Sequence, residues 1–138
     1  MSLTPLSALS PVDGRYASRC AELRELFSES GLIRARVRVE IAWLHALGGP
    51  TGLPEMQGLT AADLAAADRV AAHFGSGDAT EVKAIERETN HDVKAVEYFI
   101  KRRLETQPGW RSRLEFVHFA CTSEDINNLA YGLMCREA

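Results

Sequence analysis

Three polar clusters concentrate the side chains in this sequence that could do chemistry, each where a helix should begin, end or bend. The first, Ser10-Pro-Val-Asp-Gly-Arg-Tyr16, sets Arg15 and Tyr16 behind a tight Asp-Gly turn in which Gly14 is expected to take positive φ. A guanidinium grips phosphate or carboxylate through paired N–H bonds, and the Tyr adds a hydroxyl and a flat face. In the second, Thr89-Asn-His-Asp92, four polar side chains interrupt two helical patterns. Asp92 is expected to cap the helix that follows. His91 can move a proton or donate hydrogen bonds to an anion near neutral pH, with Asn90 beside it. Neighbouring helical side chains diverge, so Asp92 is not expected to orient His91 as a dyad partner. The third is His118-Phe-Ala-Cys-Thr-Ser-Glu-Asp-Ile-Asn-Asn128. It places Thr122 and Ser123 at the start of the last helix, where free backbone N–H groups and the macrodipole favour an anion. Each cluster also has a plain structural reading: a surface turn, a capped joint, and a Thr122–Asp125 capping box.

Other chemistries fail on spacing or charge. His45, His73, His91 and His118 stand 28, 18 and 27 residues apart, too far for a local metal site. Cys121 lies beside a helix N-terminus, which lowers a thiol pKa, but no base is evident to make it a nucleophile. Three cysteines without a CxxC pair read as reduced thiols. Gly48-Gly49 and Gly75-Ser-Gly77 match neither a phosphate loop nor a dinucleotide fingerprint. A net charge of −3 gives no basic field for nucleic acid. Arg34, Arg36 and Arg38 are expected to form a solvated helix edge. No apolar run reaches the roughly 18–20 residues of a membrane span. The N-terminus also lacks a secretion signal, so a cytoplasmic location is expected.

The elements that must position these clusters are helices. The 138 residues suit about one domain, and 46% hydrophobic content is enough for a core. An irregular arm is expected over residues 1–16, then a helix from Ala17 to Ser28 with Leu23, Leu26 and Phe27 on one side. Between Leu32 and Leu47, Ile33, Val37, Ile41 and Leu44 mark one apolar stripe. Ala35, Val39, Trp43 and Ala46 mark another, predicting a central helix packed on two faces. Further helices are predicted from Ala61 to Phe74, opened by a Thr60–Asp63 capping box, from Asp78 to Glu88, from Asp92 to Leu104, and from Ser123 to the end. Leu114 to His118 reads as a helix end or an extended piece. No alternating strand is visible, and the predicted class is all-α. The last helix has no stop signal, so the chain reads as part of a longer one, with Ile126, Leu129 and Leu133 forming an uncovered strip.

SPVDGRY at 10–16, TNHDVKAVEYF at 89–99 and HFACTSEDINN at 118–128, in this order, resemble the bacterial adenylosuccinate lyase family. TSEDINN also resembles the first shared motif of the wider fumarase/aspartase superfamily. The resemblance implies an N-terminal helical lyase domain over 1–111 and the first segment of a central long-helix bundle over 112–138. It implies a β-elimination without cofactor or metal, releasing fumarate from adenylosuccinate and from the succinyl-carboxamide ribotide of purine biosynthesis. Carried over by motif, Arg15 and Tyr16 bind the nucleotide, and Asn90, His91 and Asp92 bind substrate, with His91 near the succinyl group. Thr122 and Ser123 hold a succinyl carboxylate. The family's general acid and catalytic serine lie on later motifs, so no catalytic residue is assigned here, with His91 left as the one open contributor. The resemblance further implies a homotetramer for the full-length enzyme, without nucleic-acid or membrane partners, and no activity for this part alone. The competing expectation is a helical binding or oligomerisation module without catalysis.

Overall fold

Ser28 opens the element on which the rest is built: its Oγ accepts the Gly31 N–H at 3.2 Å. That cap starts the central helix at Glu29, three residues before the expected start at Leu32. In the computed structural model, which describes residues 4–138, the order is α1 Arg24–Phe27, α2 Glu29–Leu47, α3 Ala61–Ala72, α4 Ser76–Thr89, α5 Asp92–Leu104 and α6 Ser123–Glu137. Short 3₁₀ turns occupy Pro54–Met56 and Leu114–Phe116. Among the described residues there is no strand. Met1, Ser2 and Leu3, where the reading of the N-terminus began, lie outside them.

The two-faced character of α2 is observed. Ile33, Val37, Ile41 and Leu44 enter a core with Val82 and Ile85 of α4, Val96, Phe99, Ile100 and Leu104 of α5, and Trp110. Ala35 and Val39, on another face, meet Val93 and the Ile126, Ala130 and Met134 stripe of α6. Phe74 closes the main core edge-on against Phe99, ring centres 5.7 Å apart. The Thr60–Asp63 box forms, with both reciprocal bonds in place. Asp63 then does more: its Oδ1 accepts the Gly109 N–H, and its carbonyl accepts the indole N–H of fully buried Trp110. A single cap thus ties α3 to the turn after α5.

Four expectations are corrected. The stretch 17–28 is a succession of turns that becomes α-helical only at Arg24–Phe27, because Leu23 and Phe27 stay exposed and no buried residue anchors it. Gly14 does not take positive φ; the glycine serves a close approach, since a Cβ there would stand 2.9 Å from the Pro5 carbonyl. The helix expected from Asp78 starts earlier, at the Gly75 cap. The Gly75 N–H is accepted by Asp78, so α4 begins at Ser76, two residues early. The α6 strip is also different: Ile126 is buried on α2, while Leu129 stands 62% exposed. The stripe that packs steps by four through Ala130, whose small side chain lets α6 approach Ala35.

Candidate functional site

The joint between α4 and α5 is built by backbone geometry. Asn90 ends α4 in the left-handed region, φ 52°, a conformation Asn tolerates better than most residues. His91, not Asp92, is the N-cap of α5: its Nδ1 accepts the Lys94 N–H at 3.2 Å. Asp92 cannot cap because its carboxylate is engaged elsewhere. Oδ1 accepts the Val93 N–H at 2.8 Å and Oδ2 takes the Arg36 guanidinium at 2.7 Å. Burial pushes the Asp92 carboxyl up, but the Val93 N–H and the Arg36 charge outweigh it and hold the group below the ordinary range. His91 and Asp92 make no dyad; their nearest polar atoms are 3.7 Å apart. With Nδ1 accepting, the neutral imidazole carries its hydrogen on Nε2 and offers it outward from a half-exposed ring. An open hollow of about 730 Å³ lies here, lined by Lys83, Glu86, Arg87, Asn90 and His91.

At the start of α6 the capping box is asymmetric. Both the backbone N–H and the hydroxyl of Thr122 donate to Asp125 Oδ2, at 2.7 and 2.9 Å. The Thr122 N–H, with its hydroxyl, holds the exposed Asp125 carboxyl below its usual range. Thr122 is therefore occupied, whereas Ser123 makes no side-chain hydrogen bond among the described residues and keeps its hydroxyl available. Cys121 is the reverse of an activated thiol. Burial, reinforced by the acidic side chains of Glu40 and Asp125, pushes it up and keeps the proton on sulfur.

Helix α2 connects the two clusters. Arg36, expected on a solvated edge, is 4% exposed. Its Nε donates to Asn127 of α6 at 2.9 Å while Nη2 holds Asp92. One turn along, Glu40 is fully buried against His118, Oε1 to Nδ1 2.6 Å. Nearby, the Trp43 indole donates to the Phe119 carbonyl at 2.8 Å. Arg38 pairs with Glu137 near the far end of α6 through two bonds, 2.6 and 2.9 Å. Sequence reasoning missed Arg36 and Glu40. The signal available was a charged i,i+4 pair lying between the two apolar stripes of one helix, where a solvated edge leaves no room.

Arg15 and Tyr16 sit apart. They lie in the exposed turns of the arm, the guanidinium 5.2 Å from the centre of the Tyr16 ring. No hydrogen bond or ion pair among the described residues joins them to the other clusters. Arg36 thus links Asp92 to Asn127 in the second turn of α6, and residues 15–16 lie on a separate surface. Among the described residues no group of three His, Cys, Asp or Glu could hold a metal ion. No helix described is long and apolar enough to cross a membrane.

Comparison with known proteins bears on this arrangement directly. An adenylosuccinate lyase of Vibrio cholerae serotype O1 is 49% identical over all 138 residues of this chain, which cover 30% of that relative's length. The adenylosuccinate lyase of Escherichia coli strain K12 is 48% identical over the same span and the same share. That of Legionella pneumophila strain Corby is 43% identical, again with 30% of its length covered. A family model described as lyase matches residues 14–138, from the Asp-Gly turn through the whole of α6. Arg15, the α4–α5 joint and the start of α6 all fall inside that match, and the chain belongs to this lyase family.

Proposed function

We propose that residues 1–138 are the N-terminal part of an adenylosuccinate lyase, which eliminates fumarate from adenylosuccinate to leave AMP and acts likewise on the succinyl-carboxamide ribotide. The observation that carries this reading is identity of 48–49% to two bacterial adenylosuccinate lyases over an alignment that spans the whole chain. The chemistry of the clusters supports it. Both substrates bear a phosphate and two carboxylates, and the clusters offer donors suited to such anions. In the reaction a base removes a proton from Cβ of the succinyl group. The electron pair forms the Cα–Cβ double bond, the Cα–N bond breaks, and the departing nitrogen takes a proton.

Proton removal places negative charge on the neighbouring carboxylate, so donors aimed there stabilise the transition state more than the ground state. Ser123, the first-turn N–H groups of α6 and Thr122 are assigned that carboxylate. Asn90 and His91 are assigned the succinyl group, and Asp92 supports them through Arg36. Arg15 and Tyr16 are assigned the nucleotide end, which places their partner residues in an assembly beyond one chain. A homotetramer, a cytoplasmic location, a cofactor-free mechanism and a boundary near residue 111 belong to the same reading. The general acid and base are assigned to segments after Ala138.

The test is fumarate release, followed by ultraviolet absorbance, from the complete gene product and from the 138-residue chain. The complete protein is expected to turn over adenylosuccinate; the chain alone is expected to give none above background. A general acid and a general base are each worth about 10²–10⁴ in rate, and positioning about 7–11 kcal/mol. No fumarate from the complete protein overturns the activity; robust fumarate from the chain alone overturns the placement of the acid and base.

A further inference from the structure

Glu40 is a carboxylic acid held where a lone charge is costly. It is 0% exposed, and its Oε2 is buried without a hydrogen-bond partner. Its Oε1 meets His118 Nδ1 at 2.6 Å, and no Lys or Arg pairs with it among the described residues. The other groups that face the pair are acidic. Glu97 of α5, itself paired with Lys94 and Lys101, pushes the Glu40 carboxyl up, as burial does more strongly; His118 opposes them. The Cys121 thiol feels Glu40, and Asp125 of α6 feels His118. His118 is half-buried at φ 63°, in a loop that Trp43 anchors through Phe119. Its Nε2 has no partner among the described residues and is not among the buried orphaned atoms, so it reaches solvent beside the first turn of α6.

Four proton arrangements are open to the pair. A carboxylate with Nδ1–H and a bare Nε2 carries a net charge of −1 inside the core. A carboxylate with the imidazolium carries none, and neither does a carboxylic acid donating to Nδ1 with hydrogen on Nε2. These two neutral arrangements contain the same number of protons, and both put one on Nε2. The remaining neutral one, with the acid hydrogen on Oε2 and Nδ1–H donating to Oε1, leaves Nε2 bare but buries an O–H with no acceptor, which is costly. Low dielectric disfavours the first arrangement, and the orphaned Oε2 favours the uncharged acid most, because a neutral carbonyl oxygen is cheaper to leave unpaired than a carboxylate oxygen. We infer that Glu40 is a positioning residue: with His118 it forms a pair that keeps two protons through the neutral range, so that His118 presents an Nε2–H donor to an anion bound at the start of α6. The anion rests on the proposed function; the proton arrangement does not.

Imidazole ¹⁵N–¹H spectra of the 138-residue chain test the inference without substrate. His118 Nε2 is expected to carry hydrogen at neutral pH; an Nε2 without hydrogen there overturns the inference, whether or not the protein is a lyase. In Glu40→Leu the His118 signals are expected to move toward the exchange average of the two neutral tautomers. Unchanged signals in that variant overturn the role of Glu40. If the variant does not fold, the wild-type spectrum decides alone. Succinate at tens of millimolar is expected to shift the Nε2–H signal. A shift with inorganic phosphate instead assigns the donor to a phosphate, and no shift with either overturns the anion contact.

Discussion

Replacing His91 by Asn keeps a side-chain acceptor for the Lys94 N–H and removes the imidazole, whereas His91→Ala removes both. The Ala variant is expected to lose about 0.5–2 kcal/mol of stability in urea unfolding, and the Asn variant close to nothing. In the complete protein both should lower kcat if the ring contacts the succinyl group, which separates the cap from the chemistry. The sequence could not show that His91 would cap, because Asp is the better capping residue and stands next to it. What decides the matter is Arg36, 56 residues away, which claims the Asp92 carboxylate. Asp92→Ala leaves a buried guanidinium with only Asn127 as partner and is expected to cost about 1–3 kcal/mol. The proposal of Arg15 and the Thr122–Ser123 pair as anion donors rests on residue type and place alone. The division of labour between Thr122 and Ser123 was not, since it depends on which hydroxyl Asp125 captures.

Helices α2 and α5 follow from their periodicity because each has a surface to bury against on the side the sequence marks. Residues 17–28 carry a similar pattern but have no such surface, and a short helix without tertiary packing is marginal in water. For α6 the sequence reading marked one stripe, through Ile126, Leu129 and Leu133, and did not mark the other, through Ile126, Ala130 and Met134. The fold chooses the second because Ala130 and Ala35 permit close approach. Ile126→Ala is expected to cost about 2–5 kcal/mol in the 138-residue chain. Leu129→Ala should change stability by less than about 0.5 kcal/mol. Equal losses in urea titrations of the two variants would contradict the observed rotation of α6.

For the whole molecule the carboxylates set the response to acid. Asp63 and Asp125 in their capping boxes, Glu137 on Arg38, and Asp78, Asp92 and Glu97 against cations are all held below their ordinary range. For the last three, burial acts the other way and is outweighed. A carboxyl depressed on folding adds stability that is complete above its unfolded pKa and is lost as pH falls through the folded value. Glu40 has the opposite sign: its contribution is complete at low pH and is lost as pH rises. Urea midpoints are therefore expected to fall below about pH 4, and less steeply in Asp92→Asn. A slope unaltered by Asp92→Asn would mean that the Arg36 pair contributes nothing to it.

The way α2 is satisfied has a further consequence, in time rather than in space. Its polar side chains wait for partners synthesised long after it: Glu40 for His118, 78 residues on, Trp43 for Phe119, 76 on, and Arg36 for Asn127, 91 on. At about 5–20 residues per second, Arg36 and Asn127 leave the ribosome about 5–18 s apart. During that interval the helix that buries the most residues carries an unmatched acid and an incompletely matched guanidinium, so it cannot settle into its final seat. The helix made among the first is fixed among the last. Ribosome-bound chains ending before His118 should accordingly expose α2 to proteases, and chains that have released Asn127 should protect it.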